Sequence, residues 1–173
     1  MIKKIIIIVI VGILLTSCGV TIKSVADKSI TEPYQKPFIV IPYEKYSTKN
    51  FSKKLKEKIE IEFQNDNRSV NIYIFEKQNK GLSLNANNEV DKKINETILN
   101  GKIDLLLIFK PTHLQYTNGG LQSVTYELVG IDTKTKKEVW KAEFSSSGGF
   151  GPAMFAEKSA KIIYEKLKTD KIL

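Results

Sequence analysis

The chain has 173 residues, with 27 Lys and Arg against 19 Asp and Glu for a formal net charge of +8, and it holds one cysteine and one histidine. These counts exclude an internal disulfide and a multi-histidine metal site, and they fall short of the basicity of a dedicated nucleic-acid binder. The length allows one domain with a real core but not two ordinary ones.

The amino terminus reads as an export signal. Lys3 and Lys4 precede an apolar block, Ile5 to Leu15, which is too short to cross a hydrocarbon core as a helix, since that takes about 20 apolar residues. Leu15, Thr16, Ser17 and Cys18 follow, a pattern that resembles the bacterial lipobox: an aliphatic residue, two small ones and a cysteine. By that resemblance residues 1–17 are a lipoprotein signal peptide, and Cys18 takes a diacylglyceryl group and becomes the first residue of the mature chain. Acylation also consumes a thiol that would be a liability in an oxidising compartment. The alternative is a cytosolic first element with Cys18 as a small buried hydrophobe. One acyl chain holds a protein only marginally, whereas two or more anchor it stably. No Asp directly follows Cys18 and no acidic run follows it, so the resemblance implies the periplasmic leaflet of an outer membrane, with the inner membrane and the cell surface as alternatives.

Cleavage leaves 156 residues, and losing Lys3 and Lys4 takes the basic count to 25 against 19 acidic, a net charge of +6. Anionic lipid head groups, lipopolysaccharide or cell wall are fitting neighbours for such a chain, and nucleic acid is not. Residues 18–36 read as an acylated flexible tether, since Gly19 to Lys36 is polar and lacks clear periodicity, with a short helix around Val25 as an alternative. Such a tether would reach roughly 25 Å.

Residues 37–173 read as a single α/β domain. Phe38 to Ile41 is a continuous apolar run between prolines, suited to a strand covered on both faces. Phe51, Leu55, Ile59 and Phe63 then form a helical stripe from Asn50 to Gln64, with Thr48 or Asn50 placed to cap it. Its lysines pair at i,i+4 as Lys53 with Glu57, Lys56 with Glu60 and Lys58 with Glu62, which reads as a solvated face, with contact to an anionic surface as the alternative. Val70 to Phe75 is a second strand. A second helix follows with the stripe Val90, Ile94 and Ile98, ended by Asn100 and Gly101. Ile103 to Phe109 reads as a central strand, with Asp104 its polar exception.

Beyond this point hairpins take over. Asn118-Gly119 is a tight-turn signal, and Pro111 before it predicts a break or an edge position. Val124 to Val129 and Val139 to Phe144 are two further strands, joined through Asp132 to Glu138. Pro152 opens a third helix with Ala153, Ala156, Ala160, Ile163 and Leu167 on one face. The expected fold is therefore α/β with a mixed sheet in the order β-α-β-α-β-β-β-α: three parallel strands, antiparallel hairpin additions, and helices packed on the sheet.

The lipobox, the β-α-β-α opening, "IDLLLIF" and the hairpin "YELVGIDTKTKKEVWKAEF" together resemble a group of bacterial envelope proteins. That group includes the curli-secretion lipoprotein CsgG, the penicillin-binding-protein activator LpoB and the amino-terminal domain of TolB. The resemblance spans roughly residues 38–168. It implies a non-catalytic envelope domain that binds other proteins and uses no cofactor. The chain departs from these proteins in lacking long membrane-inserting hairpins, a long tether and a propeller.

Two other functions compete with this one. A small-ligand-binding lipoprotein would use the loops at the carboxyl ends of the parallel strands, where open α/β sheets bind. A cell-wall hydrolase would draw on His113, Asp132 and one of Ser145 to Ser147, although no G-x-S-x-G elbow is present. The stretch "SSSGGFGP", Ser145 to Pro152, reads as a connection into a helix. Anion binding at the helix start and a partner contact through Phe150 are its alternatives.

Overall fold

A computed structural model describes residues 19–44, 46–77, 84–148 and 152–173, leaving aside the side chains of residues 84–89 and 152–154. The expected signal segment and Cys18 lie outside the described residues. The elements in chain order are β1 (Val20–Ala26), β2 (Pro37–Tyr43), α1 (Tyr46–Asn65), β3 (Asn71–Glu76), α2 (Leu84–Gly101), β4 (Leu105–Thr117), β5 (Gly120–Asp132), β6 (Glu138–Ser147) and α3 (Pro152–Thr169). They build one six-stranded sheet in the order β1-β6-β5-β4-β2-β3. β2 is parallel to both β3 and β4, while β4-β5, β5-β6 and β1-β6 are antiparallel. The α/β class, the mixed sheet and the helices packed on it are as the sequence predicts.

The tether expectation fails at its centre. Val20 to Ala26 is an edge strand paired with β6 from Val20↔Ser146 to Ala26↔Trp140, so the sheet has one strand more than expected. Its inward residues include a serine, and one of its outward residues is a valine. That mixture hides the period-2 pattern by which a strand is recognised. The serine is tolerated because its hydroxyl donates to Asp170, 146 residues away.

One face of the sheet carries the main core. The stripe Phe51, Leu55, Ile59 and Phe63 of α1 is buried, as are Phe155, Ala156, Ala160, Ile163 and Leu167 of α3. These side chains pack on Ile39, Ile41, Leu105, Leu107, Phe109, Tyr126, Leu128, Trp140 and Phe144 of the sheet. Burying each of the larger ones contributes about 1.5–3 kcal/mol. Small residues in α3 bring it close to α1, where Phe51 and Phe155 stack at 5.0 Å between ring centres. On the charged side, Lys56 pairs with Glu60 at 3.7 Å as expected, but Lys58 reaches across to Glu157 of α3 at 2.6 Å rather than along its own helix to Glu62.

Among the described residues the other face is covered only over β2, β3 and β4. There α2 lays Ile94 and Ile98 on Phe38, Val40, Ile103 and Leu106, with Tyr73, Phe75 and Ile108 alongside.

Local chemistry sets the connections. Asn118 and Gly119 both have positive φ (50° and 77°), the two-residue turn that matches the twist of a hairpin. β4 runs through Pro111 with a register shift between Pro111 and His113. Pairing of β4 with β2 ends at Ile108, so the proline occupies an edge position where its missing N–H costs little. At the end of α2 the left-handed residue is Lys102 (φ 50°) rather than Asn100 or Gly101, and the N–H of Ile103 closes back on the carbonyl of Ile98. Asp104, the polar exception in its strand, accepts the backbone N–H groups of Gln35 and Lys36 at 2.7 and 2.8 Å and so fixes the entry into β2. Past α3, Lys171 (φ 60°) turns the chain back, which buries Ile172 and Leu173. Tyr34 then donates its N–H to the Ile172 carbonyl at 2.9 Å.

Candidate functional site

The carboxyl ends of β2, β3 and β4 open into a groove roofed by α2. Successive side chains of a strand point to opposite faces, so Tyr73 and Phe75 of β3 turn to the α2 side while Ile72 and Ile74 turn to the main core. The two rings stack at 5.8 Å, and with Val40, Ile94 and Ile108 they form an apolar wall. Lys77, Glu76, Asp91 and Lys110 stand at the rim of a cavity of about 870 Å³. Lys77 pairs with Glu44 at 3.3 Å. An apolar wall with a few charged groups at its edge suits a planar or partly apolar ligand held by burial and oriented by charge.

A second concavity, of about 670 Å³, lies on the uncovered face of β1, β6 and β5 and includes Lys23, Val25, Thr112, Glu127, Lys141 and Glu143. It is a charged ladder: Glu127 pairs with Lys141 at 2.8 Å and with Lys110 at 3.3 Å. The hydrogen bond from Lys141, reinforced by Lys110, holds the Glu127 carboxyl below the usual range against a small opposing effect of burial. One level further along, the Thr125 and Ser145 hydroxyls hydrogen-bond at 3.0 Å. On this face the polar groups Glu127, Lys141, Lys110, Thr125 and Ser145 are engaged with one another.

Under that surface sits a polar network that locks the amino-terminal strand to the carboxyl-terminal helix. The Trp140 Nε1–H donates to Asp170 Oδ2 at 2.8 Å, the Ser24 hydroxyl donates to the same carboxylate, and Lys166 lies 2.9 Å from Oδ1. Burial alone would push the Asp170 carboxyl up, but these three partners outweigh it and hold the group below its ordinary value. Tyr34 donates to Asp132 at 2.9 Å, and burial together with that carboxylate pushes the phenol up to about 12.

The structure separates the residues of the hydrolase reading. His113 is exposed on β4 opposite Thr125, which in turn faces Ser145, so His113 and Ser145 sit two strands apart. Asp132 lies seven residues along β5 from Thr125, roughly 23 Å away, and is engaged by Tyr34 and by the N–H groups of Lys134 and Thr135. In the stretch Ser145 to Pro152, Ser145, Ser146 and Ser147 belong to β6, and buried Ser159 donates to Ser146 at 3.0 Å. Gly149 to Gly151, with Phe150, lie outside the described residues. Among the described residues no group of three His, Cys, Asp or Glu side chains is placed to hold a metal ion, and no helix is long and apolar enough to cross a membrane. The aromatic lining of the groove was not singled out from the sequence. Its signal is the pairing of Tyr73 and Phe75 at i,i+2 in a strand that precedes an amphipathic helix.

No family model matches this sequence, and no curated protein matches it. Solved structures do. The PelC dodecamer from Paraburkholderia phytofirmans, in space group P6, aligns with a TM-score of 0.56 at 12% identity, covering 90% of this chain and 99% of that one. A point variant of the same dodecamer in space group C2 aligns with a TM-score of 0.53 at 12% identity, covering 88% and 99%. At this identity the likeness is one of fold.

Proposed function

We propose that this chain is a lipid-anchored, non-catalytic subunit of a bacterial envelope assembly, exported by residues 1–17 and held by acyl chains on Cys18 at the periplasmic face of the outer membrane. The observation that carries the reading is the start of β1 at Val20, two residues beyond Cys18. A lipid there is joined almost directly to the edge of the sheet, so the domain is held against the bilayer in a narrow range of orientations instead of roaming on a lead. That arrangement suits a fixed structural subunit. The dodecameric state of the PelC structures that share the fold supports a role in a many-copy assembly. The group of envelope proteins that the sequence resembles belongs to the same functional class.

Metabolic labelling with an alkyne palmitate analogue, followed by membrane fractionation, tests the anchor. The wild-type chain is expected to take the label and sediment with outer membranes, and Cys18→Ser to lose both properties. An unlabelled, unprocessed and soluble wild-type chain would overturn the proposal. The groove beneath α2 favours one other reading, a small-ligand-binding lipoprotein, and its mark would be a small molecule that stays with the purified protein and is lost when Tyr73→Ala opens the aromatic wall.

A further inference from the structure

The sheet ends in two strand edges, β1 on one side and β3 on the other, and among the described residues no strand pairs with the outer side of either. The N–H and C=O groups of a strand point alternately to its two neighbours. Lys77 donates its N–H to Tyr43, so Tyr73 and Phe75 face β2, and Ile72, Ile74 and Glu76 turn their backbone groups outward. Asp27 donates to Val139, so Lys23 and Val25 face β6, and Ile22, Ser24 and Ala26 turn theirs outward. Exposed edges are ordinarily blunted by Pro, Lys or a bulge. β3 has none of these: Asn71 to Glu76 contains no Pro, Gly or Lys and pairs with β2 without a register shift.

We infer that the outer edge of β1 in one copy pairs with the outer edge of β3 in the next, joining neighbouring sheets into one; this rests on the many-copy reading above. Three observations fit a second copy as the occupant. First, direction: β3, β2 and β4 run the same way and the chain reverses at β5, β6 and β1, so a neighbour in the same orientation offers β1 antiparallel to β3. Second, level: Tyr73, Val40, Ile108, Val129, Lys141 and Val25 lie in one row across the sheet. A head-to-tail contact that closes without a step along the strands therefore brings Val25 of one copy opposite Tyr73 of the next. In that register Ile22, Ser24 and Ala26 meet Glu76, Ile74 and Ile72, outward backbone to outward backbone, each pair exchanging two hydrogen bonds. Third, side chains: Val25 is 76% exposed, an isolated apolar group on the uncovered face, and it would gain an aromatic–β-branched pair with Tyr73, with Lys23 beside Phe75.

The test is made on the full chain in isolated membranes, with Val25→Cys and Tyr73→Cys combined and exposed to a mild oxidant. The proposal predicts a ladder of covalent species beyond the dimer, and nothing beyond the wild-type background from either substitution alone. Val25→Lys, at an exposed position, is expected to weaken association of the detergent-extracted protein at least tenfold by sedimentation, with an unchanged far-UV circular dichroism spectrum. Wild-type protein that sediments as a multimer while the double variant gives no ladder and Val25→Lys associates normally would overturn the edge pairing and leave the many-copy reading standing. Wild-type protein that sediments as a monomer would overturn both.

Discussion

The two faces of this sheet are built to different standards. On one, α1 and α3 bury a continuous layer of large side chains, with Phe51, Leu55, Tyr126, Phe144 and Phe155 withdrawn from solvent. On the other, α2 covers only β2, β3 and β4, its Val90, Ile94 and Ile98 remain half-buried, its Leu99 is exposed, and a groove stays open beneath it. The second face and the two edges are then available for contacts with other molecules, and both the candidate groove and the proposed edge pairing lie there.

Substitutions sharpen or break that contrast. Trp140→Ala, in the packed layer, removes a fully buried ring and one of the three partners of the Asp170 carboxylate. We expect a loss of about 3–5 kcal/mol in denaturant unfolding. Ile98→Ala on the α2 side should cost about 1–2 kcal/mol, since the site is already partly open; equal losses would erase the distinction between the faces. Next comes Gly130→Val. A Cβ there would lie 3.1 Å from the Trp140 Cβ and 3.3 Å from Leu107 Cδ2, a crowding inside the packed layer that should cost about 1–3 kcal/mol.

The acid limb of stability reads the network that ties β1 to α3. The folded-state pKa of Asp170 lies below its unfolded value near 3.9. Its contribution is therefore complete above the unfolded value and lost as pH falls through the folded one. Asp66, held down chiefly by hydrogen bonds from Lys168 and Tyr164, has the same sign. Asp170→Asn should flatten the fall in thermal midpoint between neutral pH and pH 3, and an unchanged slope would show that the carboxylate is not the group being read. The smallest effect belongs to the uncovered ladder. Glu127→Gln removes ion pairs to Lys110 and Lys141 on a surface open to water and should change stability by no more than about 1 kcal/mol.

The packed layer was legible in the sequence because it is periodic. Phe51, Leu55, Ile59 and Phe63 keep helical spacing, "IDLLLIF" is a continuous apolar run, and Asn118-Gly119 names its own turn. β1 was not legible, since a strand at an edge needs only one good face, and here Ser24 interrupts that face and is satisfied by a partner at the far end of the chain. Asp104 was legible as an exception but not as an anchor, because its partners, Gln35 and Lys36, come from a segment with no pattern of its own. The groove was foreseen only as a position, the carboxyl ends of the parallel strands. Its lining is drawn from three strands and a helix that only the topology brings together.

Native mass spectrometry of the protein extracted from membranes tests the account most directly, because one spectrum reads both the processing of the chain and the number of copies. The expected particle contains several identical subunits, each beginning at Cys18 and carrying the mass of its acyl chains. A lone, unacylated chain that still begins at Met1 would contradict the account at its root.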